Sequence, residues 1–161
     1  MRIRTVVILL GSFSLFACEG QAPETAAPEP EAAAAPSQPA APTRTPSPDG
    51  AMVYFVAPSD GAQVTSPVTV VFGLQGAGVA PAGVELPNTG HHHLLVDTEL
   101  SNESLPVPAD EQNIHFGLGQ TETTIELDPG EHTLQLVLGD HLHIPHDPPL
   151  LSERITVTVV Q

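Results

Sequence analysis

The alternation of hydrophobic and polar positions changes character near residue 51. Beyond it, β-branched and apolar residues fall into short runs separated by turn signals, the pattern of half-buried strands. Val68, Val70, Phe72 and Leu74 share one face of a strand, as do Leu134, Leu136 and Leu138. Val53–Val56, Gln63–Thr65, His92–Val96, Thr121–Leu127 and Arg154–Val160 read as further strands. Pro58-Ser59-Asp60-Gly61 and Asp128-Pro129-Gly130 supply turns. The glycine-rich stretch 75–83 reads as loop, and 100–113 as an irregular, proline-broken connection. The pattern predicts an all-β domain of about seven short strands with no helix, arranged as an immunoglobulin-like β-sandwich. A jelly roll is the alternative, because strand order is not written in one sequence.

Upstream the pattern is different. Residues 1–17 carry Arg2 and Arg4 ahead of a short apolar run, Val6-Val7-Ile8-Leu9-Leu10, and read as a signal peptide. The run is too short for a comfortable membrane span. It closes on Leu15-Phe16-Ala17-Cys18, which resembles the lipobox of bacterial lipoproteins, although Phe16 is bulkier than is usual there. That resemblance implies lipidation of Cys18 and attachment to a membrane through the lipid alone. Glu19, standing where an inner-membrane retention signal places aspartate, favours the outer membrane, with the domain facing the periplasm. From 18 to 50 the chain is alanine, proline and small polar residues, with prolines throughout. Such a segment buries too little to offset its ordering entropy and is expected to be a disordered tether. Extended, it would reach about 90–100 Å. The expected division is therefore signal peptide 1–17, lipid-anchored tether 18–50 and β-sandwich 51–161.

Charge narrows the partners. The chain has 19 acidic residues, four arginines and no lysine, for a formal net charge of −15. No basic patch exists to meet phosphates, so nucleic-acid binding is excluded. An acidic body concentrates cations instead. With Cys18 acylated, the only cysteine is removed from thiol and disulfide chemistry.

Candidate chemistry lies in the histidines. His91-His92-His93 runs directly into the apolar segment Leu94-Leu95-Val96-Asp97. On a strand His91 and His93 share a face while His92 points to the other. Asp140-His141-Leu142-His143-Ile144-Pro145-His146-Asp147 repeats the composition on a loop, where His141 and His143 would share a face if extended. His115 stands between the two clusters. His91, His93, His115, His141, His143 and His146 are the candidate metal ligands, with Asp97, Asp140 and Asp147 as further ligands or acceptors that orient the rings. Imidazole nitrogen suits Cu(II) and Zn(II), and no organic cofactor is called for. A methionine-rich Cu(I) site is excluded, since Met52 is the only methionine beyond the signal. Binding needs neutral rings, so affinity should fall as pH drops from about 6.5 towards 5. The acidic surroundings should move that loss to higher pH. His132, alone in its strand, and His92 are read as structural.

Catalytic patterns are absent. The serines lack a nucleophile-elbow context, the carboxylates are unpatterned, and no glycine-rich loop leads into a helix. Five segments together, 53–61, 91–97, 114–117, 119–122 and 130–136, resemble domain-of-unknown-function family 4399, a group of bacterial exported domains. The resemblance spans about residues 52–160 and implies that the histidines belong to the domain pattern. Two functions follow as expectations. One is a non-enzymatic module binding a transition metal, copper or zinc, in the bacterial cell envelope. The other is an interaction module that binds an envelope protein or glycan and uses its histidines structurally or as pH sensors.

Overall fold

The computed structural model describes residues 43–161, in which all regular structure is β-strand. The strands are β1 (Met52–Ala57), β2 (Ala62–Thr65), β3 (Val68–Gln75), β4 (Gly78–Val79), β5 (Thr89–Val96), β6 (Asn113–His115), β7 (Glu122–Ile125), β8 (Gly130–Gly139) and β9 (Ile155–Val160). The all-β expectation holds. Two of the strands are not expected from the sequence: β4 falls within the stretch read as loop, and β6 starts at the last residue of the 100–113 connection. They are too short to show a period, and they exist because they pair with β5.

β1, β3 and β7 form a three-stranded antiparallel sheet. The second sheet runs β2-β9-β8-β5-β4, with β6 also paired to β5. Its centre, β9-β8-β5, is antiparallel, whereas β2 and β4 add in parallel. β8 occupies one edge of β5 over 91–96, so β4 and β6 share the other edge, β4 at 89–90 and β6 at 93–95.

The main core joins residues of both sheets. Val53, Val68, Val70, Phe72 and Ile125 from the first meet Leu94, Val96, Leu134, Leu136, Ile155, Val157 and Val159 from the second. The period-two faces of β3 and β8 deliver these residues as the sequence predicts. The opposite face of β5 and β8 is buried as well. Leu95 and Val137 pack there with Val107, brought in by the 97–112 connection, and with Leu100 and Leu151. Burial on both faces explains why β5 is an unbroken run of apolar residues and histidines, without polar alternation. No helix of the described residues is long and apolar enough to cross a membrane.

Residues 44–47, within the stretch expected as tether, run beside the 145–147 segment. Ser47 donates its amide to the Asp147 carbonyl (2.9 Å), and the Asp147 amide donates to the Thr45 carbonyl (2.9 Å). Arg44 donates to the carbonyls of Pro145 and His146. This strap braces the loop that carries the second histidine cluster. Residues 1–42, including Cys18 and the stretches expected as signal peptide and as most of the tether, lie outside the described residues.

Candidate metal centre

Strand alternation sorts the histidines of β5. His92 turns towards the main core and packs on Phe72, ring centres 5.1 Å apart. His91 and His93 turn to the other face, and all three are fully buried. Register then supplies the next ring. His115 on β6 lies directly opposite His93, and such cross-strand neighbours bring their side chains together. Gly139, at the end of β8, lies opposite His91.

The fourth ring comes from the turn after β8. Asp140 organises it: its carboxylate accepts the amides of Leu142 (2.8 Å) and Ile144 (3.0 Å) and the hydroxyl of Thr45 (2.7 Å). Its carbonyl accepts the His143 amide (2.9 Å), while the His143 carbonyl accepts the Val107 amide (2.9 Å). Held from both sides, His143 adopts φ 68°, a left-handed conformation uncommon for a residue with a side chain. That conformation aims its ring at the other three.

The result is a cluster of four imidazoles from three chain segments. Ring centres of His91 lie 5.0 Å from those of His93, His115 and His143. His93 and His115 stack at 5.0 Å, His115 and His143 are 4.8 Å apart, and His93 and His143 are 6.0 Å apart. The Nε2 atoms of His91 and His93 face one another at 3.2 Å. His91, His115 and His143 each offer a ring nitrogen within 4.8 Å of the others, close enough for a shared ion. Nδ1 of His91, Nδ1 of His93 and Nε2 of His115 are buried without a partner. Buried polar atoms are rarely left so. Among the described residues no carboxylate bonds to any of the four rings, so packing and backbone hold their orientation.

Two glycines make room. A Cβ on Gly139 would lie 3.0 Å from His93 Nε2 and 3.3 Å from His143 Cα. A Cβ on Gly117 would overlap the His115 ring, 2.7 Å from its Nε2. Neither glycine carries a sequence signal for this role beyond standing within two residues of a strand that the structure shows.

Burial governs the charge state. Desolvation, and then repulsion from His143 and His115, push His91 down to about 4, against a smaller opposite pull from Asp140. Desolvation and the neighbouring rings push His93 to about 3. Burial and His143 lower His115 as well. The sequence-based expectation that acidic surroundings raise these values is therefore reversed, because a charge buried at short range outweighs a diffuse surface field. His91 and His93 are thereby held neutral at physiological pH, with lone pairs free for a metal.

The other candidates lie elsewhere. The 140–144 turn is not extended, so His141 does not share a face with His143; it lines a cleft with Thr45 and Glu85. His146 is buried beside Gly90 and bonds through Nδ1 to the Leu138 carbonyl (3.3 Å). Asp97 pairs with His132, Oδ2 to Nδ1 2.7 Å, and accepts the Thr133 amide (2.8 Å). Asp147 is exposed and forms an ion pair with Arg44 at 3.4 Å. Asp140 acts through the turn: burial raises its pKa, but the bonds from Thr45, Ile144 and Leu142 outweigh that and hold it below the usual carboxylate range.

Fold and site together define an all-β domain in which four of the eight histidines converge beside β5 and β6 of its larger sheet. The chain belongs to the DUF4399 family, a domain of unknown function, which matches residues 70–160 and so includes all four clustered histidines. No curated protein and no solved structure matches the chain.

Proposed function

We propose that this protein is a metal-binding module of the bacterial cell envelope, lipid-anchored at Cys18 and facing the periplasm. Its cargo is a transition metal, copper or zinc, held by His91, His93, His115 and His143. One observation carries the reading: four imidazoles from three segments converge, with Nε2 of His91 and His93 face to face and Nε2 of His115 buried without a partner. Clustering buried rings that repel one another once protonated has a cost, which an ion would offset by using their lone pairs. The acidic surface supports the same reading, since it draws cations towards the domain. The envelope location rests on the signal-like start and the lipobox-like segment.

Elemental analysis of protein purified without a tag, followed by calorimetric titration with Cu(II) and Zn(II), tests the proposal. One equivalent bound at neutral pH is the expected result; no uptake of either ion would refute it. An interaction module is the second reading, favoured by the apolar cleft beside β1 where Met52 and Tyr54 stand exposed. It becomes the better account if neither metal binds.

A further inference from the structure

Resting on the metal-binding reading, we infer that His91, His93, His115 and His143 hold one Zn(II) ion in a closed, four-coordinate site with no position left for water or substrate. The argument is geometric. With zinc–nitrogen bonds of about 2.0–2.1 Å, four imidazoles arranged tetrahedrally about one ion place every pair of ring centres roughly 5.2 Å apart. A square plane would give four separations of roughly 4.5 Å and two of roughly 6.4 Å. Five of the six separations in the cluster fall between 4.8 and 5.0 Å, and the sixth is 6.0 Å. The set is close to a tetrahedron and far from a square.

One nitrogen pair agrees with the ring centres. The 3.2 Å between Nε2 of His91 and Nε2 of His93 is near the edge of about 3.3–3.4 Å that a tetrahedral zinc site requires. The ring nitrogens of His91, His115 and His143 lie within 4.8 Å of one another; His93 stands outside that trio and meets it through His91, so the fourth ligand requires His93 and His143, 6.0 Å apart at their ring centres, to turn towards each other. Cu(II) and Ni(II) favour tetragonal arrangements, and Cu(I) favours the sulfur ligands that this cluster lacks. Zinc has no directional preference of its own and accepts the tetrahedron offered. Four protein ligands mark a zinc site that ties structure together, whereas catalytic zinc keeps one position open. Here the ion would join β5, β6 and the 140–144 turn. His91 and His93 are fully buried and form the floor, while the partly exposed His115 and His143 form the rim through which an ion enters.

Co(II) is the test probe, because four-coordinate Co(II) absorbs visible light far more strongly than the five- or six-coordinate ion. The full chain, purified without a tag and loaded with one equivalent of Co(II), should show the intense four-coordinate bands. Zn(II) should abolish them at one equivalent, and azide should leave them unchanged. His143→Gly, which removes a rim ligand without touching the core, should lose that spectrum and regain it on addition of free imidazole. Weak bands, or bands that shift with azide in the intact protein, would overturn the closed site while leaving metal binding in place. Failure to take up Co(II) and Zn(II) would overturn the zinc site, and failure to take up Cu(II) as well would overturn the metal-binding reading itself. A four-coordinate spectrum that persists in His143→Gly without imidazole would remove His143 from the site and overturn the four-histidine assignment.

Discussion

His91→Ala combined with His93→Ala removes the floor of the cluster, and the two rings belong to one site. The loss of metal affinity should exceed the roughly 10–100-fold typical of changes just outside a coordination shell. Adding His115→Ala and His143→Ala should cost less than the sum of the separate losses, because residues of one site are coupled. His141→Ala should shift affinity by no more than about twofold, since its ring lies in a different cleft. Titration calorimetry on this series separates one four-histidine site from two weaker ones: additive losses would mean two. Gly139→Ala is the complementary probe, adding one methyl 3.0 Å from His93 Nε2. Overpacking of that kind costs about 1–3 kcal/mol. Affinity should drop while the β-type circular dichroism is kept, and unchanged affinity would mean that the rings do not need this space.

At the scale of elements, the sequence spoke clearly where a strand is long enough to have a period. β3 and β8 place Val68, Val70, Phe72, Leu134 and Leu136 inward as the alternation predicts. The same period puts His91 and His93 on one face. What could not be read depends on contacts between distant segments. The meeting of His115 with His93 is a matter of register between β5 and a three-residue strand too short to announce itself. The meeting of His143 with both depends on a turn that Asp140 folds locally, and an extended reading of 141–143 misses it. Composition also misled: Arg44 and Thr45 sit in a proline-rich stretch that looks like spacer, yet their polar groups are bonded to Pro145, His146 and Asp140. A chain beginning at Gly50 should therefore fold but be less stable than one beginning at Thr43. The deficit should be about 1.5–3 kcal/mol, the usual worth of hydrogen bonds from a charged group. It should also bind metal more weakly, because Asp140 loses the Thr45 hydroxyl. Equal urea midpoints and equal affinities would make the strap dispensable.

At the scale of the molecule, two features bear on where and when the domain works. If the acyl chains on Cys18 hold the protein, Cys18→Ala should release it from membranes into the soluble envelope fraction. Persistence on membranes after a high-salt wash would remove the lipid anchor from the proposal. The second feature is acid sensitivity. His91 and His92 are lowered by burial to about 4, and His93 to about 3, from an ordinary value of 6.5. Between about pH 6.5 and 4 the unfolded chain holds protons on these rings that the metal-free folded chain does not. Stability rises with pH wherever the unfolded state binds more protons, so it must fall as pH drops through this window. Each such histidine contributes up to about 1.4 kcal/mol per pH unit. His132 acts in the opposite sense: the Asp97 hydrogen bond raises its pKa, a contribution present below 6.5 and lost as pH rises through the raised value. It is one partly exposed ring against three buried ones, and the buried set wins. Urea denaturation of the metal-free protein should give midpoints that fall steadily from pH 7 to pH 5. His92→Leu should make that fall shallower, since it removes one buried, lowered ring while keeping the packing against Phe72. Zn(II) should raise the midpoint most at pH 7 and progressively less as protons compete for the lone pairs. A midpoint independent of pH between 7 and 5 would mean that these rings are not buried neutral in the folded domain.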